Sequence, residues 1–189
     1  LEGEALRDAL LATAGNLDRR RFGPAVPTHM TPFMGDRMWV RNANGPLDGD
    51  RRRSVYQETR RNFLSPLFVT FDLPIPESTV GRRNGSNVPA QALALMNDPF
   101  VRQQATAWAH EVIAGDPGPV ADPRERIGRL HRRAFGRDPA PAETRAMLDL
   151  LAGMEPEAGS SGSDAEAEVR RWTELCHAIF LTQEFTHVP

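Results

Sequence analysis

The chain has no lysine, and all 23 of its basic residues are arginine. Without lysine there is no Gly-x-x-x-x-Gly-Lys phosphate loop. Cysteine is nearly absent: Cys176 stands alone, so an intrachain disulfide is excluded. His177 follows Cys176, but Thr173 occupies the position where covalent haem attachment needs a second cysteine. No apolar run approaches the roughly 18 residues of a membrane helix. No signal-peptide pattern heads the sequence, and no Gly-x-Ser-x-Gly elbow occurs.

What is present describes a globular chain. Its 189 residues are 40% hydrophobic and 25% charged, with a formal net charge of -2. That balance lacks the basic excess of a nucleic-acid module. An all-arginine basic set has two readings. A GC-rich genome produces it without function; anion recognition uses it, because the guanidinium fork binds carboxylate, phosphate or sulfate bidentately.

Helix signals dominate. Leu1–Ala14 carries Leu6, Leu10, Thr13 and then Leu17 on one side, with no capping residue ahead of it, so Leu1 reads as a cut within an element. Residues 15–50 are loop-rich, with Met38–Val40 as a short strand and Asn42–Asp50 as a turn cluster that misses the EF-hand order. Arg51–Asn62 alternates weakly and is expected to be a strand paired with Met38–Val40. Phe63–Leu73 should enter the core.

Pro89 opens a short helix to Asn97 with Leu93 and Met96 on one face. Asp98-Pro99 caps the next helix, whose stripe is Val101, Ala105, Trp108 and Val112. Asp122-Pro123 repeats the device before Ile127, Leu130, Ala134 and Phe135. Ala142–Gly153 follows, with Met147, Leu150 and Leu151, and Asp164–Gln183 closes the list with Val169, Trp172, Cys176, Ile179 and Phe180. Gly115–Pro119 and Glu155–Ser163 read as linkers. The expected fold is mainly α, a multi-helix orthogonal or bundle-like packing with a loop-rich N-terminal part and room for one small β-hairpin. The expected division is 1–114 and a terminal three-helix segment, 115–189.

Candidate chemistry is sparse. His110-Glu111 begins a zinc-helix pattern, but Ala114 replaces its second histidine. Cys176 on an apolar stripe reads as a core thiol. Asp36, Asp72 and Asp98 are nominal acid/base candidates; Asp98 is better explained as a cap and Asp72 as a turn former before Pro74. The arginines Arg52, Arg53, Arg60, Arg82 and Arg83 flank the apolar Phe63–Leu73 segment. Solvated ion pairs are the plain reading. A cationic groove for an anionic polysaccharide, with Trp39 and Tyr56 as stacking surfaces, is the functional one.

Several stretches carry a resemblance. Arg52–Tyr56, Arg60–Asn62, Phe71–Pro74, Arg82-Arg83 and above all Val88–Val101 (Val-Pro-Ala-Gln-Ala-Leu-Ala-Leu-Met-Asn-Asp-Pro-Phe-Val) resemble the planctomycete-specific C-terminal domain of unknown function, family 1553. Glu4–Leu11, Phe135–Pro139 and Phe180–Phe185 are similar to other parts of it. The resemblance implies the C-terminal portion of that domain, partnered by its missing N-terminal half and by upstream domains. It also implies an exported protein, periplasmic or extracellular, with haem c on an upstream cytochrome-like segment and none in this chain. A link to polysaccharide breakdown is implied by that company, while no catalytic residue carries over. Many relatives have a cysteine near Ser78–Val80, and this chain has none. The leading expectation is therefore a non-catalytic scaffold or interaction domain. The alternatives are part of a polysaccharide-acting enzyme with an arginine-lined groove, or an accessory domain of a haem redox protein.

Overall fold

The computed structural model describes residues 1–30, 44–115, 122–154 and 163–187. The expected Met38–Val40 strand, Trp39, Asp36 and nearly all of the two linkers lie outside these residues. The described chain is mainly helical: α1 (Gly3–Thr13), α2 (Pro66–Thr70), α3 (Pro89–Asn97), α4 (Pro99–Ala114), α5 (Pro123–Phe135), α6 (Pro141–Gly153), α7 (Asp164–Phe180) and α8 (Gln183–Thr186). It falls into two compact units, Leu1–Ala12 with Asn16–Phe100, and Thr13–Gly15 with Val101–Pro189.

The first unit is loop-rich around α1, α2 and α3. Leu6, Leu10 and Leu11 of α1 are buried, as are Leu67, Phe68 and Phe71. Gly3 lets α2 approach: a Cβ there would lie 3.0 Å from the Phe68 Cα. The strand expected over Arg51–Asn62 does not form. The chain instead makes two 3-10 turns, Gly49–Arg51 and Ser54–Tyr56, touched by isolated bridges from Asp18 to Arg52 and from Val26 to Gln57. Side chains from α1 explain the difference. The Asp8 carboxylate accepts from both the Ser54 N–H and its hydroxyl, each at 2.7 Å, which folds the segment back on itself. α3 is also turned from its expected face: Gln91 and Leu95 are buried, while Leu93 is 58% and Met96 54% exposed.

Helices α4 and α5 start on the expected caps, the first of them at the end of the first unit. Asp98 Oδ1 accepts from Phe100 N–H, and Asp122 Oδ1 from Arg124 N–H. Gly136, at φ +70°, ends α5 in the left-handed conformation that glycine adopts without a Cβ penalty. Ser163 and Glu166 close a reciprocal box at the start of α7. The core of the second unit is Val101, Ala105 and Trp108 of α4, Ile127 and Leu130 of α5, and Leu175, Cys176, Ile179 and Phe180 of α7. Trp108 stacks on Phe180 with centroids 5.1 Å apart, and Phe180 meets Phe185 at 5.0 Å. α6 packs between α5 and α7 without burying a single residue completely, so its Met147–Leu150 stripe faces a groove.

Candidate functional site

Four of the five candidate arginines, Arg52, Arg53, Arg60 and Arg83, make contacts within the first unit. Arg52 is 6% exposed. Its guanidinium donates to the carbonyls of Pro24 (2.9 Å) and Phe22 (2.5 Å) and lies 4.1 Å from the centre of the Tyr56 ring. Tyr56, expected as a stacking surface, is thus covered by Arg52, and its hydroxyl accepts from Phe22 N–H. Arg83 donates to the Asp72 carbonyl and forks onto Glu4 at 3.2 and 2.7 Å, with Glu2 at 3.3 Å. Those bonds raise its affinity for its proton. Arg60 pairs with Glu58 at 3.0 Å, and Arg53 faces Asp8 at 3.5 Å. Arg82 is exposed.

Of these five, Arg53 and Arg60 line one cleft, of about 460 Å³, and Arg52 lines another, of about 620 Å³, with Arg20, Arg21 and Asp50. Four carboxylates line the first cleft with Arg53 and Arg60: Glu2, Glu4, Asp8 and Glu58. Two cations among four acids do not make an anion-attracting field. Asp72 sits outside the lining of this cleft, at φ +61°, where its Oδ2 accepts from the Ser86 N–H and hydroxyl, each at 2.7 Å. The Ser86 backbone bond, then its hydroxyl, holds this carboxyl below the usual range. A general acid needs the opposite shift. Asp72 as placed is the clasp of the Phe71–Ser86 loop.

One residue absent from the sequence-derived candidates organises this unit. Arg7 on α1 is 3% exposed. Its Nη1 donates to the Arg52 carbonyl (2.9 Å) and the Ser54 hydroxyl (3.0 Å), and its Nη2 to the Asp48 carbonyl (2.6 Å). Asp8 is 3.6 Å away, and the cation lies 5.3 Å from the centre of Phe100. Burial pushes its pKa down to about 10, against the pull of Asp8 and Asp48, and it stays charged at neutral pH. A signal existed in the sequence: Arg7 stands three and four residues before Leu10 and Leu11, on the face of α1 that goes inward.

The second unit holds a different kind of concavity. A groove of about 260 Å³ between α5, α6, α7 and α8 is lined mostly by apolar side chains, including Phe135, Met147, Leu150 and Ile179. His131 forms part of it and is 2% exposed, yet neither ring nitrogen has a hydrogen-bond partner. An unpartnered buried polar group costs about 1–3 kcal/mol. Desolvation lowers the imidazole pKa, with Glu143 pulling the other way. At the rim, Arg137 bridges Glu143 and Glu184, each at 2.7 Å. Cys176 is buried, and burial raises its thiol pKa far from the reactive range.

Among the described residues no group of three His, Cys, Asp or Glu converges as a metal site, and no helix is long and apolar enough to cross a membrane. No curated protein and no solved structure matches the chain. One family model matches, "PSD1: Protein of unknown function (DUF1553)", over residues 1–151. The match takes in Glu4–Leu11, Val88–Val101 and Phe135–Pro139 and ends before Phe180–Phe185. With residues 1–151 of 189 matched, the chain belongs to the PSD1 (DUF1553) family of proteins of unknown function.

Proposed function

We propose that this chain is a non-catalytic helical scaffold or interaction domain of an exported multidomain protein. One observation supports the reading most: the buried arginines Arg7 and Arg52 turn their terminal guanidinium nitrogens to the chain's own carbonyls and to the Ser54 hydroxyl, while Arg52 Nε is buried without a partner. Arg7 and Arg52 together bond the carbonyls of Asp48, Arg52, Pro24 and Phe22. Groups that hold loops together in this way are committed before any ligand arrives. The depressed Asp72 carboxyl agrees with that reading, because it accepts hydrogen bonds and holds no proton to give near neutral pH.

The competing proposal is a polysaccharide-acting enzyme that grips anionic groups through Arg53, Arg60 and Arg82. The test is turnover of sulfated and uronic-acid glycans by the chain and by its Arg53→Ala and Asp72→Asn variants. The scaffold reading expects no turnover in any of them. Turnover by the parent chain that disappears in a folded Asp72→Asn variant would overturn it.

A further inference from the structure

We propose that Asn84-Gly85 is a self-modifying site, at which the folded chain loses the Asn84 amide as ammonia and acquires aspartate or isoaspartate inside the loop clasped by Asp72. This goes beyond the scaffold reading and does not depend on it. The chemistry is intramolecular, so holding the two reacting groups as neighbours in one chain supplies the proximity. The Gly85 nitrogen attacks Asn84 Cγ, and the new N–Cγ bond closes a succinimide ring. The Cγ–Nδ2 bond breaks, and the Gly85 amide proton leaves with the nitrogen as ammonia. Water, the one co-reactant, then opens the ring at either carbonyl. Addition at Cγ breaks the bond just made and leaves aspartate. Addition at the Asn84 main-chain carbonyl frees that carbonyl from Gly85, so the chain runs on through Cβ and Cγ as isoaspartate.

Glycine follows asparagine twice in this chain, at Asn44-Gly45 and at Asn84-Gly85. Glycine has no Cβ and leaves the attacking nitrogen unshielded. The structure separates the two sites. Asn44 is held: its Oδ1 accepts from Met30 N–H at 2.7 Å, and its Nδ2 donates to the Met30 carbonyl at 3.3 Å. The Gly45 N–H donates to the Thr28 carbonyl at 3.1 Å, and the Pro27 carbonyl lies where a Cβ on Gly45 would go. Nucleophile and electrophile are both engaged elsewhere, so ring closure there must wait for local opening. Asn84 has no such restraint. It is exposed, in a stretch outside any helix or bridge. Among the described residues neither its side chain nor the Gly85 N–H makes a hydrogen bond. A Cβ on Gly85 would meet nothing within 4 Å, so the ring has room to close.

The neighbours of the site give the change a consequence. Asn84 stands between two anchors of the loop. On one side Arg83 Nε donates to the Asp72 carbonyl at 3.0 Å. On the other, the Ser86 N–H and hydroxyl both bond the Asp72 carboxylate at 2.7 Å. Isoaspartate inserts its Cβ into the main chain between these anchors, and the clasp fits the original spacing. Aspartate adds the same charge and leaves the spacing unchanged. The two products therefore differ in backbone length alone, and the isoaspartate form should hold the clasp less well.

The test is incubation of the whole chain in mildly alkaline buffer, folded and in guanidinium chloride, with conversion of Asn44, Asn84 and Asn87 followed by peptide mapping and mass spectrometry. The hydrogen bonds that restrain Asn44-Gly45 should slow Asn44 at least about ten-fold in the folded chain relative to guanidinium. Asn84 should convert at nearly the same rate in both. Gly85→Val, for which there is room, should bring Asn84 down to the rate of Asn87, which Val88 already follows. The two products, separated by chromatography, should differ in urea unfolding, with the isoaspartate form unfolding at the lower concentration. No conversion of Asn84 in the folded chain, protection of Asn84 equal to that of Asn44, an unchanged Asn84 rate in Gly85→Val, or equal urea midpoints for the two products would overturn the proposal.

Discussion

Replacing Arg7 by methionine should destabilise the first unit severely. Methionine keeps much of the aliphatic stem, so packing changes little and the loss is electrostatic and hydrogen-bonded. The substitution strips donors from the Arg52 and Asp48 carbonyls and from the Ser54 hydroxyl. Turned so that its oxygen faces the guanidinium, the Gln57 amide loses Nη2 (3.1 Å) and Nε (3.3 Å) as well. Asp8 loses a cation 3.6 Å away. Each buried acceptor left unmade costs about 1–3 kcal/mol, reduced where water can enter. Removal of one partner from a buried ionic cluster costs about 3–5 kcal/mol in all. Several acceptors are backbone carbonyls that water can reach after a small opening, so the expected loss lies near the lower end, about 3 kcal/mol. Arg7→Lys keeps the charge but not the fork, and should recover only part of the loss. Urea unfolding followed by circular dichroism measures both. A loss below about 1 kcal/mol for Arg7→Met would mean that water replaces the guanidinium bonds at no cost and that Arg7 does not hold the unit together.

Three further outcomes follow from the structure. A Cβ on Gly45 would lie 1.8 Å from the Pro27 carbonyl oxygen, so Gly45→Ala should cost about 1–3 kcal/mol in the same urea assay, since the neighbour is backbone and cannot swing away. Ser163→Ala opens the capping box of α7 and should cost about 1 kcal/mol, read as a lower melting temperature. The Arg137 hydrogen bond, then the Ala140 N–H, brings the Glu143 pKa down to about 2 from 4.5. A lowered carboxylate pKa stabilises the fold above pH 4.5, and that contribution is lost as pH falls from 4.5 towards 2. Both partners are more than a third exposed, so screening reduces the effect to on the order of 1 kcal/mol. Glu143→Gln should flatten the acid limb of stability against pH over that window, and an unchanged limb would contradict the assignment.

Much of the second unit was legible in the sequence because its signals are local. Asp98-Pro99, Asp122-Pro123 and Gly136 act through neighbouring backbone groups, and the structure shows them capping as expected. The first unit was less legible because its order comes from contacts distant in sequence. Ser54 turns because Asp8 holds it from 46 residues away, a bond that no local alternation announces. Leu93 and Met96 share one face of α3 as the spacing predicts, but that face is exposed and α3 buries Gln91, whose amide donates to the Thr70 and Ser86 carbonyls. Arg7 carries a charge, which by type points to solvent, while its spacing from Leu10 and Leu11 puts it on the inner face of α1. The candidate arginines were visible as clusters. Which of them face a cleft and which serve as internal staples depended on carboxylates and carbonyls far along the chain.

Arg52 and Arg83 serve the fold of the first unit through their bonds to the carbonyls of Pro24, Phe22 and Asp72 and to Glu4. Stability and glycan affinity measured together on Arg52→Gln and Arg83→Gln give the decisive comparison. The predicted result is a loss of at least about 1 kcal/mol in urea unfolding, with no saturable binding of a sulfated glycan at low salt by parent or variants. Unchanged stability, together with tight parent binding that the substitutions abolish, would contradict it.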